Sequence, residues 1–267
     1  MTHHSFPTSY PVAPNAVYVW RGFRSPKLTP AQFAQFLGNV FVPACALLQP
    51  RVGLRAYLPT LVPETKPASL PDQTALMFWA TSQAHDQANQ SIAVRIYQNL
   101  HGDTYDMARS KLPEVPQSIA TVTGSMVAEQ PYYLIEKPAD WMLGSVHHLV
   151  GARRPDLSPE AFLAAVYEWA ANFSQHPPSR IDAALVCGGQ DYAVAWVHSP
   201  DSHTMLSVAI EGLADLTVPV IRQDAQHCEL DAGLWSAWPG LDLTQSACLN
   251  IQLERQASAS PITQNQR

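Results

Sequence analysis

Histidine is the side chain best suited to exchanging a proton near neutral pH, and His147, His148, His176, His198 and His203 all lie in the second half of the chain. Of these, His147 and His198 stand in apolar stretches that read as neighbouring strands, so their imidazoles could meet and act as a catalytic acid and base. A second grouping, RIYQNLHGDTYD, places Tyr97 and His101 four residues apart on one helical face. A histidine near a helix C-terminus also serves the helix dipole, so a capping role is the alternative there. No H-E-x-x-H or comparable ligand spacing occurs, and each lone histidine reads equally as structural or surface. Arg24 and Arg153 could grip a ligand carboxylate through paired hydrogen bonds, or could fix a turn.

The elements that would position these residues come twice. Residues 17–33 (VYVWRGFRSPKLTPAQF) lie over residues 146–162 (VHHLVGARRPDLSPEAF) without a gap, a constant shift of 129 (146 − 17). Gly22 falls on Gly151, Arg24 on Arg153, Pro26 on Pro155, and the Thr29-Pro30 helix start on Ser158-Pro159. Such self-similarity outranks a local motif as a guide to architecture. Trp79 falls on Trp196 at a shift of 117 (196 − 79), which places about twelve extra residues in the first copy, in a stretch carrying Pro59, Pro63, Pro67 and Pro71. Proline lacks the donor that a central strand or helix needs, so this stretch reads as an extended loop.

Each copy reads β-α-β-β-α-β. In the first, strands are expected over 16–23, 52–58 and 74–80, with a fourth between Ile119 and Ile135. A helix starts at Thr29, and a second starts at Thr81 or Ser82 and stops at Gly102. In the second copy strands fall at 145–152, 181–187 and 192–198. A helix follows Ser158, another follows Ser199-Pro200, and the last strand is 226–230 or 247–253. The organisation expected is an N-terminal arm (1–15), a first repeat (16–138), a second repeat (139–255) and a disordered tail (256–267).

Bulk properties narrow the partners. A net charge of −6 with four lysines and scattered arginines works against nucleic acid and anionic membrane, and no apolar run approaches the ~20 residues of a membrane span. The N-terminal residues carry no secretory pattern, which makes the cytoplasm the expected location. Cys45, Cys187, Cys228 and Cys248 form no C-x-x-C pair and read as reduced, mostly buried thiols, with no metal site expected.

Strands such as VYVWRGF and ALMFWA are apolar at nearly every position, the pattern of sheets covered on both faces. With the repeat, this α+β plan resembles the dimeric α+β barrel superfamily, in which two ferredoxin-like units pack sheet to sheet. The resemblance implies a small apolar or aromatic ligand held between the sheets by a monomer or homodimer, with cofactor-independent oxygenation, isomerisation or cyclisation as the activity. Strand parity then assigns Tyr18, Trp20 and His147 to the inter-sheet face, with Trp79, Trp196 and His198 completing the cavity, and the more aliphatic Val17, Val19, Val146 and Val150 to the helices. Haem is an alternative, since Trp79 with His85, or Trp196 with His203, loosely resembles part of the pattern of the superfamily's haem-degrading members, although their first-strand asparagine is missing. A non-catalytic scaffold or partner-binding protein is the rival from another class.

Overall fold

The computed structural model describes residues 17–42, 44, 45, 49, 52–62, 66–113, 117–141, 144–201 and 212–226. The helix starts expected at Thr29, Thr81 and Ser158 form as read. The Thr29 hydroxyl accepts from the Gln32 amide, and Gln32 reaches back to the Thr29 amide, opening α1 (Pro30–Phe36); Ser158 opens α4 (Pro159–Gln175) in the same way through Ala161. α1 runs on into a π-helical turn, Leu37–Phe41. Thr81 caps α2 (Ser82–Gln90), but the helix expected to run unbroken from there is interrupted. Ser91 adopts extended backbone and caps a new helix, α3 (Ile92–Thr104), in which Gly102 is interior and not the stop.

The strands β1 (Val17–Gly22), β2 (Leu54–Leu61) and β3 (Gln73–Trp79) form an antiparallel sheet in the order β1-β3-β2. A second sheet takes β4 (Gln117–Ser118), β5 (Pro131–Ile135), β6 (Ser145–Arg153), β7 (Ala183–Gly188), β8 (Tyr192–Ser199) and β9 (Thr217–Gln226) in the order β4-β5-β7-β8-β6-β9. The fourth strand expected of the first half is therefore β5, but it pairs with β7 in the other sheet. The last described strand, β9, starts nine residues before the earlier of the two expected positions (226 − 217), and follows the short helix α5 (Leu213–Leu216). Residues 202–211, on which the helix after Ser199-Pro200 was expected, and residues from 227 onward lie outside the described residues.

The ladders correct the alignment of the third strands. Val17 pairs with Phe78, and its counterpart Val146 pairs with His198, a shift of 120 (198 − 78) in place of 117. Trp79 therefore corresponds to Ser199, and the shared tryptophan register is an accident of sequence.

The four layers are helix, sheet, sheet and helix. Val17, Val19, Leu58, Leu76 and Phe78 from one sheet pack against Val146, Val150, Leu185, Val194 and Trp196 from the other. For β1, β3 and β6 that is the reverse of the parity expected: the aliphatic face fills the inter-sheet space, while Tyr18, Trp20 and Trp79 join Phe33, Leu37, Phe41 and Tyr97 under the first-half helices; on β8, Trp196 and His198 do face between the sheets as expected. His147 lies between Val146 and His148 along β6, both turned between the sheets, and so belongs to the opposite face. Volume does not choose between the faces, since Phe78, Trp141, Tyr192 and Trp196 also lie between the sheets. The side of the first sheet turned inward is the one whose polar groups find partners across the gap, Arg21 at Cys187 and Tyr192 and Thr74 at His148.

Candidate active site

A cavity of about 350 Å³ opens between the first sheet and its helices. Alternate positions on the strands put Trp20, Tyr57, Ala75, Met77 and Trp79 on its sheet side, because Trp20 pairs with Ala75 and Tyr57 with Met77. The helices contribute Phe41, His85, Asn89, Tyr97, Gln98 and His101, and residues 107–112 add Met107, Ser110 and Leu112 across the mouth. That last segment is strapped to the edge of β1: Asp106 N donates to Phe23 O at 2.8 Å, and Arg21 and Lys111 exchange backbone hydrogen bonds at 3.0 Å. Ser110 Oγ accepts from Phe23 N at 3.0 Å.

The walls are largely aromatic. The Tyr18 ring stacks on His85 at 4.0 Å between centroids, Trp79 meets His85 edge-on at 5.1 Å, and Trp20 meets His101 edge-on at 5.3 Å. Phe41 touches Tyr97 and His101, both at 4.8 Å. Among the described residues, no Asp, Glu, Lys or Arg lines the cavity. Burial pushes the His101 pKa down to about 4, against the opposing pull of the Gln98 and Tyr97 carbonyls, and burial also lowers His85 against the pull of Asp86. Both imidazoles are therefore neutral at pH 7. His101 Nδ1 lies 3.2 Å from the Gln98 carbonyl, which only accepts, so Nδ1 carries the proton and Nε2 the lone pair. Burial raises Tyr57, Tyr97 and Tyr105 and takes the Cys45 thiol up to about 12, so all four stay protonated. Trp79 Nε1 is buried without a hydrogen-bond partner, an unused donor in the wall.

Of the residues singled out in the sequence, Trp20, Trp79, Tyr97 and His101 come together here, with Tyr18 behind His85. His147, His198 and Trp196 lie in the second half, away from these walls. His198 is opposite Val146 and His147 opposite Val197, so the two imidazoles point to opposite faces of the sheet. His198 Nδ1 bonds Asp182 Oδ1, and its ring lies 5.3 Å from Trp141. Arg24 and Arg153 each reach the carbonyl four residues on, Leu28 and Leu157, which fixes the strand-to-helix turn. Among the described residues no group of three or more His, Cys, Asp or Glu could hold a metal ion. No described helix is long and apolar enough to cross a membrane.

Two buried polar groups between the sheets were not anticipated. Arg21 is 1% exposed; Nη1 lies 3.0 Å from Cys187 Sγ and 3.4 Å from the Tyr192 hydroxyl. Burial opposes its charge, but Cys187, Tyr192 and Glu129 outweigh that, and its pKa ends up raised. His148 Nε2 lies 3.0 Å from Thr74 Oγ1, and burial takes its pKa down to about 3. The available signal was parity: Arg21 alternates with Val17 and Val19, and His148 with Val146 and Val150.

No family model matches the chain, and no curated protein matches it. Among solved structures it is similar to a candidate monooxygenase from Lactobacillus acidophilus NCFM at 8% identity, covering 77% of this chain and 92% of that one, with a TM-score of 0.33. An anthrone oxidase-like protein is 9% identical over 90% of this chain and 84% of its own, with a TM-score of 0.32. A candidate monooxygenase from Fusobacterium nucleatum subsp. nucleatum ATCC 25586 is 8% identical over 79% and 94%, with a TM-score of 0.34. Likeness at this level carries no inference about chemistry, which is argued from the site alone.

Proposed function

We propose that the protein binds a small, neutral, largely aromatic molecule in the first-half cavity, within a chain built of two tandem ferredoxin-like repeats. The observation that carries this is the aromatic cavity of about 350 Å³, without a charged residue among the described residues of its walls. A charged ligand would lose its hydration there without compensation. The repeat reading rests on the strand order β7-β8-β6-β9, which is that of one ferredoxin-like unit, and on the turn contact shared by Arg24 and Arg153.

If the protein is a catalyst, His101 is the base: neutral, with its lone pair on Nε2, it can take a proton from a ligand C–H or O–H, the opening step common to cofactor-independent oxygenation, isomerisation and cyclisation. Calorimetric titration with 1-naphthol tests the binding. Saturable heat is expected from the wild type and at least tenfold weaker binding from Met77→Trp, which fills the cavity; no saturable heat, or unchanged affinity in Met77→Trp, refutes the reading in favour of a scaffold. A His101→Gln variant that binds normally would isolate the proton-transfer role.

Haem is a second reading on the same wall, suggested by the Trp79–His85 contact and the neutral state of His85, but the fit is poor: its two propionates would meet no cation among the described lining residues, and Asn89 Nδ2 lies 3.5 and 3.4 Å from the two ring nitrogens of His85. Hemin titration decides it: a Soret shift lost in His85→Ala supports haem, and an unshifted band removes it.

A further inference from the structure

The two arginines that match in sequence differ in their surroundings. Arg153 is saturated: Nε donates to Gln190 O at 3.1 Å, Nη1 to the Leu157 carbonyl and Nη2 to Asp191 Oδ1 at 3.1 Å. Arg24 makes the equivalent Nη1 bond to Leu28, but its Nε is buried with no partner. The nearby carboxylate, Asp72, is engaged through both oxygens, Oδ2 by the Arg24 backbone N–H at 2.7 Å and Oδ1 by Lys66 Nζ at 3.2 Å.

A third cation closes the group. The Arg109 guanidinium sits 4.0 Å above the Phe23 ring and donates to Ala68 O at 2.9 Å, while Lys66 donates to Leu70 O at 2.7 Å. The carbonyls of one turn thus anchor two of the cations. Asp106, three residues before Arg109, accepts from the Ala108 amide at 3.1 Å. Burial lowers the Lys66 pKa first; Asp72 opposes that, and Arg109 and Arg24 lower it further, which puts the three cations within electrostatic reach of one another. Among the described residues, three positive charges surround one carboxylate and leave a local excess. Lys66 and Asp72 come from the Pro-rich stretch of the first half, and Arg109 from the strap over the cavity mouth.

We propose that Arg24, Lys66 and Arg109 form a binding site for a small oxyanion, a phosphoryl group or a dicarboxylate. The exposed guanidinium of Arg109 offers a fork that matches two oxygens of such a group, and Lys66 and Arg24 add positive charge beside it. Arg153, already neutralised by Asp191, makes no such site in the second half.

Calorimetry with sodium phosphate and with sodium succinate, against sodium chloride at equal ionic strength, tests this. Saturable binding of at least one anion is expected, weakened tenfold or more in Arg109→Gln and in Lys66→Gln and unchanged in Arg180→Gln, an exposed arginine of the second half. The tighter anion identifies the ligand class. Binding of neither anion above chloride, or undiminished binding in Arg109→Gln, overturns the proposal. Arg109 is exposed, so this variant keeps the test decisive even if Lys66→Gln does not fold.

Discussion

Gly22 and Gly151, matched in sequence, are required by the same packing event, and replacing each by alanine measures it. A Cβ on Gly22 would lie 2.4 Å from Tyr105 Cε1 and 2.6 Å from Trp20 Nε1; on Gly151 it would lie 2.5 Å from Thr217 Cβ. Tyr105 and Thr217 are each the first residue after a helix, α3 in one half and α5 in the other, and each then pairs beside the first strand of its half, at Arg24 and Arg153. Neither obstacle is a flexible tip: Tyr105 is 2% exposed and hydrogen-bonded to Gln73, and the Thr217 hydroxyl donates to Leu213 O. Overpacking of this kind costs about 1–3 kcal/mol. At about 2–4 °C per kcal/mol for a chain of this size, each variant should melt roughly 2–12 °C below the wild type. Gly102→Ala is the internal control, since nothing lies within 4 Å of its added Cβ in the interior of α3; it should gain about 1 kcal/mol and melt a few degrees higher. Thermal denaturation followed by circular dichroism reads all three. Wild-type melting of both Gly22→Ala and Gly151→Ala would refute the claim that close approach, and not turn chemistry, explains these glycines.

Other perturbations probe the inter-sheet polar groups and the imidazoles. Arg21→Met replaces a buried cation that makes no hydrogen bond to a carboxylate, and should leave stability within about 1 kcal/mol of wild type or raise it; a loss above about 3 kcal/mol in urea denaturation would mean that its charge is balanced across the core. His101 and His148 titrate near 4 and 3 in the folded chain against about 6.5 unfolded, so the unfolded chain binds protons first. Their contribution is complete above pH 6.5 and drains away as pH falls from about 6.5 to about 4 for His101 and to about 3 for His148. The urea midpoint should fall over that window and fall less in His148→Gln; an equal fall in both proteins would contradict the assignment.

The sequence made the first, third, sixth and eighth strands and the three Thr or Ser caps legible, because β-branched runs and Ser/Thr-Pro starts act locally. Faces were another matter. VYVW and ALMFWA are apolar on both sides, so parity gives two equivalent faces and no signal for choosing between them. Only polar interruptions could break the tie, and Arg21 and His148 did so in favour of the side opposite to that expected. The partner of β5 was hidden for a different reason: Pro131–Ile135 reads as a strand in isolation, but pairing with β7 is a long-range choice made by the edges left free. His85 entered the sequence reading only through its loose haem-like pairing with Trp79; its stacking on Tyr18 depends on which face β1 turns to the helices, and no local signal gives that.

The cavity lies in the first half because its helices are broken there. In the second half α4 is unbroken over seventeen residues and drives Phe162, Val166, Trp169, Ala170 and Phe173 into its sheet. The first-half counterpart stays α-helical for only seven residues, burying Phe33, and then widens into the π-helical turn that brings Phe41 to the cavity wall. The second helical segment breaks at Ser91, which separates His85 on α2 from His101 on α3. The shortening of α1 forgoes packing that its counterpart α4 retains. Side chains held apart around open space keep contacts in reserve for a guest, and it is on this asymmetry between the halves that the proposal of a ligand site, in preference to a scaffold, rests.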